Sequence, residues 1–325
     1  MKNDTITAID GISVGHAALR EAPSGCTVVL TGRGAVAGVD VRGGAPGTYG
    51  TDALNPLNLV DRVHGLFLTG GSAFGLSVAD GVRRYLGERG LGFDTGHGLV
   101  PIIAGAVIFD LGVNGTGNYP DSELGYLGCV RASNAPVPEG CVGAGIGATV
   151  GKLYGLERAM KGGLGSECVE ASSGLKVAAL MVVNAFGDIV DPALGRPVAG
   201  CRGSSASREL IDMDAEICRL ESLKSLEGFP SGQNTVIGIV ATNAKLNKTQ
   251  LTKVAQMAHD GLARTVYPAH TLYDGDTIFA LSCGELEGVE VTMAGALAAR
   301  ATAGAILRAV RKATDLGSIP ACGRL

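Results

Sequence analysis

Residues 227–234 read EGFPSGQN, and residues 235–241, directly after them, read TVIGIVA. The first stretch is a polar Gly/Pro loop and the second an unbroken apolar, β-branched run, the signature of a strand buried on both faces. This junction decides the fold. The 91 residues from Thr235 to the end are too few to own a core, so the loop is not taken as a domain boundary. One domain over residues 1–325 is expected, with the 235–241 strand inside a shared sheet. Downstream, residues 246–262 alternate into a helix, 277–282 form a strand and 290–313 an alanine-rich helix, suited to a core or subunit contact. Upstream, residues 27–31, 35–41, 65–69 and 175–184 are short glycine-bounded strands. Residues 72–87 place Phe74, Val78, Val82 and Leu86 four apart, as in a helix laid on those strands. Between 204 and 226, Leu210, Met213, Ile217, Leu220 and Leu223 stand three or four apart amid alternating charge, which predicts an amphipathic helix. Residues 101–111 and the Gly/Ala/Val-rich 141–151 are buried, close-packed segments whose type periodicity does not decide. Together these imply an α/β fold of layered, mixed sheets with helices outside.

Composition narrows the function. With 46% hydrophobic residues and a mean hydropathy of +0.27, the chain is too apolar to be disordered. Its 51 glycines follow no G-X-Y period, which excludes collagen. The net charge of −4 comes with no basic block, so nucleic acid is not an expected partner. The apolar stretches 100–111 and 177–183 are too short or too interrupted to span a bilayer, and no membrane association is expected. The start, MKNDTITAIDG, has no apolar signal-like core, so a cytoplasmic location is expected. Eight cysteines without a C-x-x-C pair read as small buried hydrophobes, and five histidines without H-E-x-x-H offer no metal anchor. No cofactor and no metal are expected.

The chemistry lies at Asn234–Thr235. A threonine hydroxyl is a poor nucleophile in water, but at a chain N-terminus it gains its own α-amine as a base, with a pKa near ~8 against ~10.4 for lysine. Such a terminus requires a cut before Thr235. The cut is self-made if Thr235 Oγ attacks the Asn234 carbonyl and water cleaves the resulting ester. Taken alone, a threonine at a loop-to-strand junction is also an ordinary strand start.

Six segments then carry a resemblance: LTGGSAFGL (68–76), VPIIAGAVIFDL (100–111), GAGIGATVGK (143–152), VVNAFGDIVDP (182–192), NTVIGIVATNAKL (234–246) and DGDTIFA (274–280). In this order, across nearly the whole chain, they resemble the DmpA-type N-terminal-nucleophile hydrolases: L-aminopeptidase/D-esterases, β-peptidyl aminopeptidases and nylon-oligomer hydrolases. The resemblance implies an αββα-type sandwich shared with ornithine acetyltransferases, self-cleavage into pieces 1–234 and 235–325, and a homo-oligomer, often a tetramer. It makes Thr235 the nucleophile and Asn234–Thr235 the cut. Lys152 becomes an electrostatic aid that lowers the amine's pKa or stabilises negative charge, and Asn184 an oxyanion donor. Asp274 and Asp276 orient the amine and tune its protonation. The implied substrate is a small peptide or linear amide, taken by an acyl-enzyme route.

The chain departs from the pattern at Phe109, where family members place a tyrosine; a phenyl ring donates no hydrogen bond, and Tyr119 is a candidate substitute. The LTGGSAFG stretch opens a helix after a strand without the G-K-[ST] of a nucleotide loop, so it is read as close packing. Arg33, Arg42 and Arg202 are read as exposed arginines rather than partners of a substrate carboxylate. Two rival readings keep the fold. One is an acyl transfer of the ornithine acetyltransferase kind; the other is an unprocessed, non-catalytic binding protein.

Overall fold

Along Lys176–Asn184, Val177, Ala179, Met181 and Val183 face one apolar cluster, and Ala178, Leu180 and Val182 face another. Thr235–Ala244 does the same, sending Val236 and Val240 one way and Ile237, Ile239 and Ala241 the other. Strands covered on both faces have no place for a polar alternate, which is why both segments are continuous apolar runs in the sequence.

The computed structural model describes residues 3–114, 117–223 and 233–323. Its principal strands are β1 (Ser13–Ala18), β2 (Gly25–Val41), β3 (Arg62–Thr69), β4 (Ile103–Val107), β5 (Gly163–Glu170), β6 (Lys176–Asn184), β7 (Thr235–Ala244) and β8 (Thr277–Leu286). The principal helices are α1 (Val78–Gly87), α2 (Ser122–Val130), α3 (Lys248–Thr265) and α4 (Val291–Arg311). The strands join in the order β5-β6-β7-β8-β2-β3-β4, with β1 beside β2. Pairing is antiparallel except between β7 and β8 and between β3 and β4, so the sheet is mixed.

One strand serves two layers. Within the 17 residues of β2 the register slips between Leu30 and Ala35, where Gly32 (φ 59°) and Gly34 (φ 98°) take left-handed conformations closed to most side chains. The first half of β2 pairs with β3 and the second half with β8. The two halves of the sheet then face each other. Val29, Leu66, Leu68, Ala104 and Ala106 meet Leu180, Val182, Ile237, Ile239 and Phe279 in a shared core. On the outside, α3 and α4 cover β6–β8 through Val254, Ala258, Ala298 and Ala305, while α1 and α2 cover β2 and β3 through Val82, Leu86 and Cys129. The result is the expected αββα sandwich. Strands β7 and β8, which follow Thr235, lie between β6 and β2, which precede it.

Several expectations need correction. Residues 27–31 and 35–41 are one bent strand, not two. The helix expected from residue 72 begins at Val78; Ser72–Ser77 is a tighter 3-10 turn that leaves Phe74 exposed. The amphipathic helix expected over 204–226 shrinks to Met213–Ile217, capped by the Asp212 carboxylate on Ala215 N at 3.1 Å. Ahead of it, the buried Arg202 guanidinium draws in the Ser205 and Ser207 carbonyls at 2.6 and 3.1 Å, which are thereby lost to a helix ladder. The apolar spacing still packs: Met213, Ile217, Leu220 and Leu223 gather on Leu153 and Phe186. Residues 224–232, including most of the 227–234 loop, lie outside the described residues. Cys218 is exposed, unlike the buried Cys26, Cys129 and Cys201. Helix α4 is long and apolar enough to cross a membrane by length and composition alone, which the sequence reading overlooked; here 56% of its apolar window is buried in the fold.

Candidate active site

Register places Thr235. As the first residue of β7 it lies opposite Asn184, the last residue of β6. On its other side β8 runs parallel, with Ile237 beside Thr277, so the turn just before β8 comes level with Asn234 and Thr235. Asn234 and Thr235 are both buried. The Thr235 hydroxyl donates to the Asn234 carbonyl, the group on the far side of the peptide bond expected to break. The same carbonyl accepts the Gly275 N–H at 3.0 Å. Gly275 is required there, since a Cβ would stand 2.7 Å from the Ala45 carbonyl and 3.0 Å from Thr235 Oγ1.

Lys152 is not a solvated turn residue; it is 2% exposed. Its backbone is tied to β6's extension by Lys152 N–H to Phe186 O at 2.9 Å. Its Nζ donates to Asn184 O at 3.0 Å, Asn184 Oδ1 at 2.9 Å and Gln233 O at 3.3 Å. Burial lowers its pKa to about 7, against the opposing pull of Asp274. Asn184 is fully buried, and its amide is oriented by its partners. Oδ1 accepts from Lys152 and from Thr149 N at 3.0 Å, and Nδ2 donates to Phe109 O at 3.1 Å and Gln233 O at 3.3 Å. The expected oxyanion donor thus points at backbone carbonyls in the continuous chain, one of them next to the scissile bond. Phe109 enters through its carbonyl, while Tyr119 stacks on Phe74 with ring centroids 4.7 Å apart.

The two carboxylates hold different partners in the continuous chain, which carries no amine at Thr235 for them to orient. Asp274 accepts from Phe186 N at 3.1 Å and from the Thr271 hydroxyl. Burial first, and the Asp276 carboxylate second, raise its pKa to about 7. Asp276 accepts Val236 N at 2.8 Å on one oxygen, and His270 N and Nδ1 at 3.0 and 2.8 Å on the other. In the continuous chain Asp276 therefore holds the residue after Thr235, while Asp274 holds Phe186 and Thr271. Sequence reasoning missed Gly275, Thr149, Thr271 and His270. Gly275 and Thr149 stood inside quoted segments, but nothing in the spacing marked His270.

Elsewhere, the Gly70–Gly71 turn of LTGGSAFG wraps an anion of its own chain. The buried Asp110 carboxylate accepts Gly71 N at 2.8 Å and Ser24 Oγ at 2.7 Å. Arg33 and Arg42 are exposed as expected, whereas Arg202 is buried among backbone carbonyls. No group of three or more His, Cys, Asp or Glu is arranged to hold a metal among the described residues.

This sandwich is a variant of the Ntn hydrolase fold. The L-aminopeptidase D-Ala-esterase/amidase of Ochrobactrum anthropi superposes over 98% of this chain and 88% of its own, with a TM-score of 0.72 at 21% identity. The chain itself belongs to peptidase family S58, whose sequence profile matches residues 4–320. An uncharacterized aminopeptidase of Mycobacterium leprae is 42% identical over 98% of this chain and 94% of that protein. A 6-aminohexanoate-oligomer endohydrolase of Kocuria sp. strain KY2 is 31% identical over 93% and 84%. The family expected from six segments is the family found, and the protein is a hydrolase of peptide or amide bonds.

Proposed function

We propose that the chain cuts itself between Asn234 and Thr235, and that Thr235, now N-terminal, hydrolyses small peptides or linear amides through an acyl-enzyme. The observation that carries this reading is the Thr235 hydroxyl lying on the Asn234 carbonyl, which the Gly275 N–H already polarises. In the cut, Thr235 Oγ bonds to the Asn234 carbonyl carbon and gives up its proton, while Lys152 Nζ, hydrogen-bonded to the adjacent Gln233 carbonyl, serves as an electrostatic aid. The oxyanion is held by Gly275 N–H. The C–N bond breaks, the α-nitrogen takes up the proton, and an Asn234 ester on Thr235 Oγ remains. Water hydrolyses that ester, leaving a carboxylate on Asn234 and a free amine on Thr235.

In turnover the same hydroxyl attacks a substrate carbonyl, with the α-amine as its base. Release of residue 233 frees Asn184 Nδ2 and Lys152 Nζ from its carbonyl, and these donors then serve the new oxyanion. Asp274 and Asp276 hold the strand start and the turn on either side of the amine. Pieces 1–234 and 235–325 stay together as one domain because β7 and β8 are interleaved with strands of the larger piece. A homotetramer belongs to this reading through the family resemblance, and a linear-amide substrate such as a 6-aminohexanoate oligomer through the name of one relative.

Intact mass tests it. Wild type should give two species of ~23.6 and ~9.2 kDa from a 32.8 kDa chain, while Thr235→Ala stays whole. A wild-type chain that stays whole on prolonged incubation refutes the mechanism.

A further inference from the structure

Beside Asp276, two histidines meet edge to face. His270 sits early in the segment between Tyr267 and Thr277 with φ 56°, in the left-handed region that is costly for a residue with a Cβ. That conformation aims both its backbone N–H and its ring Nδ1 at one Asp276 oxygen, at 3.0 and 2.8 Å. The other Asp276 oxygen takes the N–H of Val236, the residue after the nucleophile, at 2.8 Å. His259, on α3 and fully buried, packs its ring against His270, centroids 4.8 Å apart at 71°. His259 Nε2 lies 3.1 Å from the Asp40 carbonyl. A carbonyl only accepts, so Nε2 carries the proton and Nδ1 is bare. Burial lowers the pKa of His259 to about 4, so its ring is a neutral wall. The groups facing the pair are Asp40, Asp276 and, beyond Asp40, Arg42.

We propose that His270, braced by His259, is a positioning residue for the reaction: it fixes the Asp276 carboxylate, and Asp276 fixes the strand start that carries Thr235. The proposal rests on Thr235 being the nucleophile. His270 touches no reacting atom. Its effect passes through Asp276 to the Val236 N–H, and so to the direction in which the Thr235 hydroxyl points. Two of the three N–H groups on that carboxylate belong to His270. The backbone donor is kept in His270→Ala and His270→Asn, and both remove the ring.

The full-length chain, made by cell-free synthesis, is followed by mass for its self-cleavage rate in wild type, His270→Ala, His270→Asn and Thr235→Ala. His270→Ala should slow cleavage by about tenfold or more, the scale of one hydrogen bond to a charged group. His270→Asn, whose amide reaches the Nδ1 position, should recover most of the rate. Cleavage of His270→Ala at the wild-type rate overturns the proposal, as does an Asn variant that melts like wild type yet cleaves as slowly as Ala. Should His270→Ala fail to fold, ¹⁵N shifts of the imidazoles in the unaltered protein decide. A proton on His270 Nδ1 supports the proposal, and a bare Nδ1 overturns it. If Thr235→Ala still cleaves, or wild type does not, the nucleophile reading fails instead, and the imidazole shifts still report on His270.

Discussion

Asn184 and Thr235 stand directly opposite each other across the antiparallel β6–β7 pair. The register sets the expected oxyanion donor and the expected nucleophile on neighbouring strand ends, with Lys152 Nζ bonded to the first. Consequences for the reaction follow from that placement.

Asn184 separates donation from packing. In Asn184→Asp, a carboxylate oxygen replaces Nδ2 and faces the Phe109 and Gln233 carbonyls that now accept from it. In turnover by processed protein, losing an oxyanion donor costs ~2.7–4 kcal/mol of transition-state stabilisation. Both Asn184→Asp and Asn184→Ala should therefore lower kcat by about a hundredfold or more. Asp should also lower the melting temperature more than Ala, because it adds repulsion between acceptors. Steady-state kinetics and calorimetry on the same preparations check both.

Gly275→Ala tests the other face of the site. The added methyl meets a backbone oxygen and the Thr235 hydroxyl at distances that ordinary contacts do not reach. The turn must shift, and its N–H leaves the Asn234 carbonyl. Self-cleavage, followed by intact mass, should fall by about a hundredfold, the effect of losing one such donor.

Lys152→Met keeps the length and removes the charge together with the three hydrogen bonds that Nζ donates to Asn184 O, Asn184 Oδ1 and Gln233 O. Self-cleavage, followed by intact mass, should slow by about tenfold or more, the scale of lost hydrogen bonds from a charged donor. The melting temperature should fall as well, because buried acceptors are left without a donor. Cleavage of the Met variant at the wild-type rate would remove Lys152 from the reaction.

Stability should rise on the alkaline side of neutral pH. Burial raises Asp188, which accepts Cys201 N at 2.7 Å and Met213 N at 3.3 Å, from 3.8 to about 7. Asp274 shifts the same way. Between those values the native chain holds more protons than the unfolded one, so this stability is present at low pH and lost as pH rises through about 7. Lys152 and Lys161 are lowered by burial from 10.5 to about 7 and about 8, so above those values the unfolded chain holds the extra protons and stability returns. Burial lowers His16 and His259 from 6.5 to about 4, which opposes the carboxylates between those values. The melting temperature should therefore change little from pH 4 to about 7 and rise toward 10, and Lys161→Met should flatten the alkaline rise.

Much of the scaffold was legible because burial on both faces leaves a mark in one dimension. The runs at 175–184 and 235–241 announced central strands, and the alanine-rich 290–313 announced a helix laid on them. The 204–226 helix was misread because its apolar spacing records packing on Leu153 and Phe186, whereas the backbone answers to the buried Arg202. Phe74 misled in the same way: its spacing fits a helix that starts only at Val78.

The sequence by itself pointed to the family and, through that resemblance, to the αββα layering, and it offered Lys152, Asn184, Asn234, Thr235, Asp274 and Asp276 as candidates, because these sit in contiguous segments whose order and residue types carry the signal. Only the tertiary structure decided what those side chains hold. It turned Asp276 onto Val236 and His270, set Gly275 on the Asn234 carbonyl, and brought His259 of α3 against His270, eleven residues further along. Hydrogen bonds of this kind depend on strand register and on which way a loop's N–H groups point. Those are fixed by contacts between segments distant in the chain, and no local pattern of residue types encodes them.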